Sequence, residues 1–157
     1  MNRYRAVALA LVSAFLLATS VRSAVLEVGT WKANLAKSKY SPAELAPMSA
    51  MVKIESVENG IKVIVDTVDR AGKPRHYDYT VKYDGKDYPV TGDPSRDATA
   101  AKKIDDYTLE QISKKNGKVT TTNRIVVARD GKSRTQTTTG TNAQGRKIDN
   151  VVFWEKQ

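Results

Sequence analysis

In the stretch RHYDYTVKYDG, residues 75–85, Tyr77, Tyr79, Val81 and Tyr83 occupy odd positions, while His76, Asp78, Thr80 and Lys82 occupy even ones. Successive side chains of a strand point to opposite faces, so this alternation predicts a strand with one tyrosine-lined wall. Comparable segments recur at a steady beat. Asn59-Gly60, Ala71-Gly72, Asp84-Gly85, Asn116-Gly117, Asp130-Gly131 and the run from Asn142 to Gly145 separate stretches rich in Val, Ile, Thr and Tyr. Such pairs supply the positive φ of tight hairpin turns, and branched or aromatic side chains suit a pleated surface. The expected strands are 28–35, 50–58, 61–69, 75–83, 86–90, 98–104, 107–114, 118–129, 132–140 and 146–155. They form an antiparallel meander, closed as a barrel or folded as a sandwich.

Two stretches break the beat. Ser41-Pro42-Ala43-Glu44-Leu45 can form one helical turn, with serine as cap and proline in the first turn, ended before Pro47. Residues 87–98, DYPVTGDPSRDA, carry Pro89, Gly92 and Pro94, and proline is confined to sheet edges and bulges. A long loop or a gap in the sheet is expected there.

The first residues read differently from the rest. Arg3 and Arg5 precede an almost wholly apolar run from Ala6 to Ala18, then the small-residue exit Val21-Arg22-Ser23-Ala24. That order is a secretory signal peptide, too short in its apolar part to span a bilayer. Cleavage after Ser23 divides the chain into a leader, 1–23, and a single domain, 24–157. The mature protein is expected to be soluble in the periplasm or the medium, without stable membrane insertion. With no cysteine in the chain, the domain holds together by packing alone. Arg3, Arg5 and Arg22 are three of the 26 Lys and Arg, so 23 basic residues face 17 acidic ones after cleavage. The positive charges are scattered, which fits a solvated surface better than a nucleic-acid face.

Catalytic motifs are not evident. His76, the single histidine, falls on the polar face of its strand, and no cysteine nucleophile or Gly-x-Ser-x-Gly elbow occurs. Asp105-Asp106 suits a tight turn. Asp130-Gly131-Lys132-Ser133 ends like a phosphate-binding loop, but Val126 stands where that loop needs glycine. No cofactor motif and no metal-ligand set is present, and no enzymatic role is expected.

Near the mature start stands Gly29-Thr30-Trp31-Lys32, and near the end Val152-Phe153-Trp154-Glu155-Lys156. Here the chain resembles the calycins, the superfamily of lipocalins and fatty-acid-binding proteins, and in particular small exported bacterial lipocalin-like proteins with the same Gly-Thr-Trp-Lys start. Those families open their first strand with Gly-x-Trp and bring a basic side chain of the last strand over that tryptophan. The resemblance implies an all-β, antiparallel up-and-down barrel of 8–10 strands, closed by Gly29, Trp31 and Lys156. It departs from the fatty-acid-binding proteins in two places. Their Arg-x-Tyr on the last strand is matched by Val152 and Trp154, and residues 36–49 are too short for their helix-turn-helix lid.

In a barrel the tyrosine wall faces inward; in a sandwich it is ordinary core. On 118–129 and 132–140, either choice of face brings hydroxyls or amides inside, and unpaired buried polar groups cost about 1–3 kcal/mol each. A partly wet cavity accommodates both walls. The expected ligand-contacting residues are Tyr77, Tyr79, Tyr83 and Trp154 as apolar walls and Thr135 and Thr137 as hydroxyls. Arg124 joins them if its strand turns that face inward. The expected function is non-catalytic binding of a small apolar or amphipathic molecule. The competing expectation is adhesion of a basic outer surface to anionic envelope or matrix components, and an uncharacterised enzyme comes third.

Overall fold

The computed structural model describes residues 26–157; the expected leader, 1–23, lies outside the described residues. Ten strands are present: β1 (Gly29–Ala33), β2 (Ser49–Val57), β3 (Gly60–Val68), β4 (Pro74–Lys82), β5 (Tyr88–Pro89), β6 (Ala98–Lys103), β7 (Thr108–Lys115), β8 (Lys118–Val127), β9 (Ser133–Thr141) and β10 (Lys147–Lys156). They form one sheet in the order β4-β3-β2-β1-β10-β9-β8-β7-β6-β5. Each neighbour is the next strand in sequence except where β1 meets β10, antiparallel, with Trp31 opposite Lys156 and Ala33 opposite Trp154. Joining the two chain ends in this way rolls the meander into an up-and-down barrel. The sandwich alternative is set aside.

The roll leaves one seam, between β4 and β5–β6. Asp84 bridges to Lys102, and the Gly85 N–H donates to the Ala101 carbonyl at 3.0 Å. The stretch 87–98 lies at this seam, and Gly92 packs so closely on Tyr77 that a Cβ there would sit 3.3 Å from that residue's own Cβ. The connection from β1 to β2 is made of short 3-10 turns rather than a helical lid. Ala43–Leu45 falls where one turn is expected, but Pro42 stands at its N-cap, outside the turn, and no side chain caps it, so Ser41 is not the cap. Leu35–Lys37 is an additional one, capped by the Asn34 side chain, which accepts from the Lys37 N–H at 3.1 Å. No helix among the described residues is long and apolar enough to cross a membrane.

Alternation decides what faces in. Ala50, Val52 and Ile54 of β2, Ile61, Val63 and Val65 of β3, and Tyr79 and Val81 of β4 are buried and pack as one cluster with Trp31, Ile125, Val152 and Trp154. The intervening residues, such as Lys53, Asp66, Asp78 and His76, are exposed. His76 pairs with Asp66 on the outer face, its Nδ1 2.6 Å from the carboxylate.

Two glycines mark places where strands come close together. A Cβ on Gly60 would collide with the Val81 carbonyl oxygen, and one on Gly140, at φ +141°, with that of Thr120. Gly140→Ala is expected to destabilise the domain by about 1–3 kcal/mol, through strained backbone and displaced β8. Gly72→Ala, at a turn with nothing within 4 Å of the new methyl, retains only the backbone term. A urea midpoint that falls no further for Gly140→Ala than for Gly72→Ala would contradict this account.

Candidate functional site

The barrel interior holds a cavity of about 240 Å³ that opens to the outside. Its two walls differ in chemistry because the strands that build them differ in their inward set. On β2, β3 and β4 that set is mostly apolar and includes Val52, Ile54, Ile61, Val63, Val65, Tyr77 and Tyr79, with Thr67 its one hydroxyl outside the tyrosines. On β7, β8 and β9 it includes Gln111, Asn123, Gln136 and Thr138. The register puts Gln111 opposite Asn123 and Asn123 opposite Thr138, so these polar groups adjoin one another across three strands. Asn123 Oδ1 accepts from Thr138 Oγ1 at 2.6 Å and from Gln136 Nε2 at 3.3 Å, while Gln111 Nε2 donates to the Tyr79 hydroxyl at 2.8 Å.

Of the residues expected at a ligand site, Tyr77, Tyr79 and Trp154 line this cavity. Tyr83 does not; its hydroxyl donates to the Glu27 carboxylate at one end of the barrel. Thr135 and Thr137 are corrected, for β9 turns its other face inward, presenting Arg134, Gln136 and Thr138. Arg124 is corrected too. Its strand buries Asn123, Ile125 and Val127, and Arg124 is exposed, opposite Thr137 on the outside. The parity of β9 follows from Arg134, whose guanidinium packs 4.9 Å from the Trp31 ring and 5.1 Å from the Trp154 ring.

That aromatic sandwich closes the barrel at its Tyr83 end. Trp31 is fully buried and donates its Nε1 hydrogen to the Glu27 carbonyl at 2.7 Å. Lys156 lies over the same ring, its Nζ 5.2 Å from the centroid. Its side chain crosses Gly29, whose φ of +135° is the local reason for glycine two residues before the tryptophan. Lys156 therefore takes the place the motif assigns to the closing cation, and Arg134 adds a second, more deeply buried one. Burial pushes the Arg134 guanidinium down to about 10, with Glu27 opposing, so it remains charged at neutral pH. Burial likewise raises the Glu27 carboxyl above its ordinary value, against the pull of Tyr83, Arg134 and Lys103.

A second arginine, Arg96, whose side chain is 11% exposed, lines the cavity from the seam loop. Its Nε donates to Asp93 at 2.9 Å, one Nη to Ser113 at 3.2 Å and the other to the Tyr77 hydroxyl at 3.3 Å. The guanidinium also sits 4.9 Å from the Tyr79 ring. Burial alone would lower its pKa; Tyr79, Tyr77 and Asp93 outweigh burial and hold it above the ordinary value. Burial pushes the Tyr77 phenol up to about 12, so it stays protonated. Sequence alternation could not find Arg96 or Glu27, because neither lies on a strand. Gln111 is hidden by Ile112, an apolar residue on the opposite face of β7.

The closing cluster has measurable consequences. Arg134→Ala removes a desolvated guanidinium from between the Trp31 and Trp154 rings and is expected to cost about 2 kcal/mol or more, whereas Lys156→Ala, at an exposed cation, costs about 0.5–1 kcal/mol. Equal losses in chemical denaturation would refute this ranking. For Glu27 the folded pKa lies above the unfolded one, so the native state holds the proton more tightly. Its contribution is fully present below the ordinary value of 4.5 and is lost as pH rises through the raised pKa. The stability of the wild type relative to Glu27→Gln should therefore decline as pH rises from 4 toward neutrality, a window set by the direction of the Glu27 shift. A difference that is flat or grows over that range contradicts the assignment.

No family model matches the sequence, and no curated protein matches it. Among solved structures, a Schistosoma mansoni fatty acid binding protein in complex with arachidonic acid is similar, with a TM-score of 0.52 and 13% sequence identity. The match covers 84% of this chain and 96% of that one. At this identity the likeness bears on the fold alone: the described chain is an all-β antiparallel barrel with the same overall fold as that protein.

Proposed function

We propose that this protein is an exported, non-catalytic binding protein that holds a small, partly apolar molecule inside its barrel. The observation that carries this reading is the 240 Å³ cavity between an aliphatic and tyrosine wall and a hydrogen-bonding wall. Ligand pockets have that make-up, mostly apolar with a few placed polar groups. The leader-like first residues support export. The similarity to a protein solved with arachidonic acid supports a small apolar or amphipathic ligand. A non-catalytic role is supported by the placement of His76 on the outer surface, bonded to Asp66, and by the commitment of Arg96 to Asp93, Ser113 and Tyr77.

The neutral apolar dye N-phenyl-1-naphthylamine tests this. Its emission should rise saturably and Trp154 emission should fall, with an affinity that changes less than about twofold between about 50 and 500 mM salt. Val63→Phe, which fills the apolar wall, should abolish the signal while the far-ultraviolet spectrum stays that of the wild type. Dye binding that survives Val63→Phe, or that fades steeply with salt, would place the site on the basic outer surface instead.

A further inference from the structure

One unanswered cation and the amide wall beside it narrow the chemical class of the ligand, given that the cavity binds one as proposed above. Arg134 lines the cavity and is only 3% exposed. Two indole rings pack against its guanidinium. Stacking of that kind uses the faces of the group, whereas its hydrogen bonds leave from the edge. The edge is unanswered: the Nε is buried without an acceptor, and among the described residues Arg134 makes no hydrogen bond and no ion pair. Glu27, the acid whose charge acts on it, accepts the Tyr83 hydroxyl instead. Trp154, opposite Arg134 in the register, has a buried Nε1 that also lacks an acceptor. This level of the barrel therefore holds two orphan donors and, among the described residues, no orphan acceptor. An oxyanion reaching Arg134 would convert an unpaired buried charge into a charge-assisted hydrogen bond. Arg96, the other cation of the lining, is already held by Asp93, Ser113 and Tyr77.

Next to Arg134 on the inner face of β9 stands Gln136, about 7 Å farther along the strand, flanked by Asn123 of β8 and Gln111 of β7. These carboxamides spend part of their capacity on each other, on Thr138 and on Tyr79. Gln111 Oε1, Asn123 Nδ2 and Gln136 Oε1 make no hydrogen bond among the described residues. A carboxamide offers a donor and an acceptor whichever way it is turned, so the wall suits an amide. Across the cavity lie Val63 and Val65. Cation, amides and hydrocarbon thus follow one another as carboxylate, amide and acyl chain do in an N-acyl amino acid. A plain carboxylic acid would leave the carboxamides unanswered, and a neutral amide would leave the guanidinium so. The cavity, about 240 Å³, is below the roughly 300–1,000 Å³ of pockets for drug-sized ligands, which keeps the acyl chain short.

We infer that the cavity takes a short-chain N-acyl amino acid, with its carboxylate on Arg134, its amide on Gln136 and Asn123, and its acyl chain on Val63 and Val65.

Three probes of equal chain length separate the contributions: N-hexanoylglycine, nonanoate, which lacks the amide, and N-hexanoylglycinamide, which lacks the charge. Each is competed against N-phenyl-1-naphthylamine and titrated into isotope-labelled protein, with the Arg134 guanidinium and the carboxamides of Asn123 and Gln136 as resonances to follow. The wild type should bind N-hexanoylglycine at least about tenfold more tightly than either of the others. Arg134→Met should remove the preference over N-hexanoylglycinamide, and Asn123→Leu/Gln136→Leu the preference over nonanoate. Nonanoate or N-hexanoylglycinamide binding as tightly as N-hexanoylglycine overturns the inference and leaves interior binding standing. So does failure of N-hexanoylglycine to enter a cavity that admits the dye. Failure of the dye itself to enter overturns interior binding and, with it, this inference. The wild-type comparison decides the matter even if a variant does not fold.

Discussion

The barrel depends on the burial of one indole. Trp31 sits on the shortest strand of the closing pair, five residues long, and its ring is covered by Arg134 from β9 and Lys156 from β10. Both cations come from the end of the chain, so the contact ties the first strand to the last two. A ten-stranded meander without this tie is an open sheet with two long edges, and open edges invite pairing with other chains. In a chain with no cysteine, packing and charge at this junction do what a cross-link would do elsewhere. Closing the sheet is also what creates an inside, so the cavity exists as a consequence of the same contact.

The interior then carries an asymmetry that a simple core would avoid. Valines and isoleucines of β2 and β3 form a dry wall, whereas amides of β7, β8 and β9 form one that has to be hydrogen-bonded. The amides answer part of the need themselves, through Asn123 and its two neighbours. Two buried donors, Arg134 Nε and Trp154 Nε1, find no acceptor among the described residues. Each such donor costs on the order of 1–3 kcal/mol, and both belong to residues that line the cavity. A fold built for stability alone would place aliphatic residues there. Those polar groups are the ones that the proposed binding function would use.

Much of the fold was legible in one dimension. Turn pairs such as Asn116-Gly117 and Asp130-Gly131 mark the hairpins, and both form, with positive φ at Asn116, Gly117 and Gly131. The alternation of 75–83 identifies the inner face of β4, since only one of its faces is apolar. The site was less legible. On β9 threonine occurs on both faces, so alternation cannot choose between Thr135 and Gln136; the choice is made by Arg134, which is drawn inward by two tryptophans distant in sequence. On β8 the same ambiguity is settled by Ile125 and Val127, which take Arg124 to the outside.

Local sequence determined the all-β class, the ten strands and their hairpin order, because turn chemistry and period-two alternation act over a few residues. The resemblance to the calycins, rather than local chemistry, pointed to Gly29, Trp31 and Lys156 as the closing set. Only the tertiary structure decided which faces of the threonine-rich strands line the interior, how Arg96 seals the seam, and that Glu27 and Arg134 oppose each other's charge. Those outcomes depend on contacts between residues far apart along the chain, and the energy of a buried charge or amide is set by neighbours that only the closed barrel supplies.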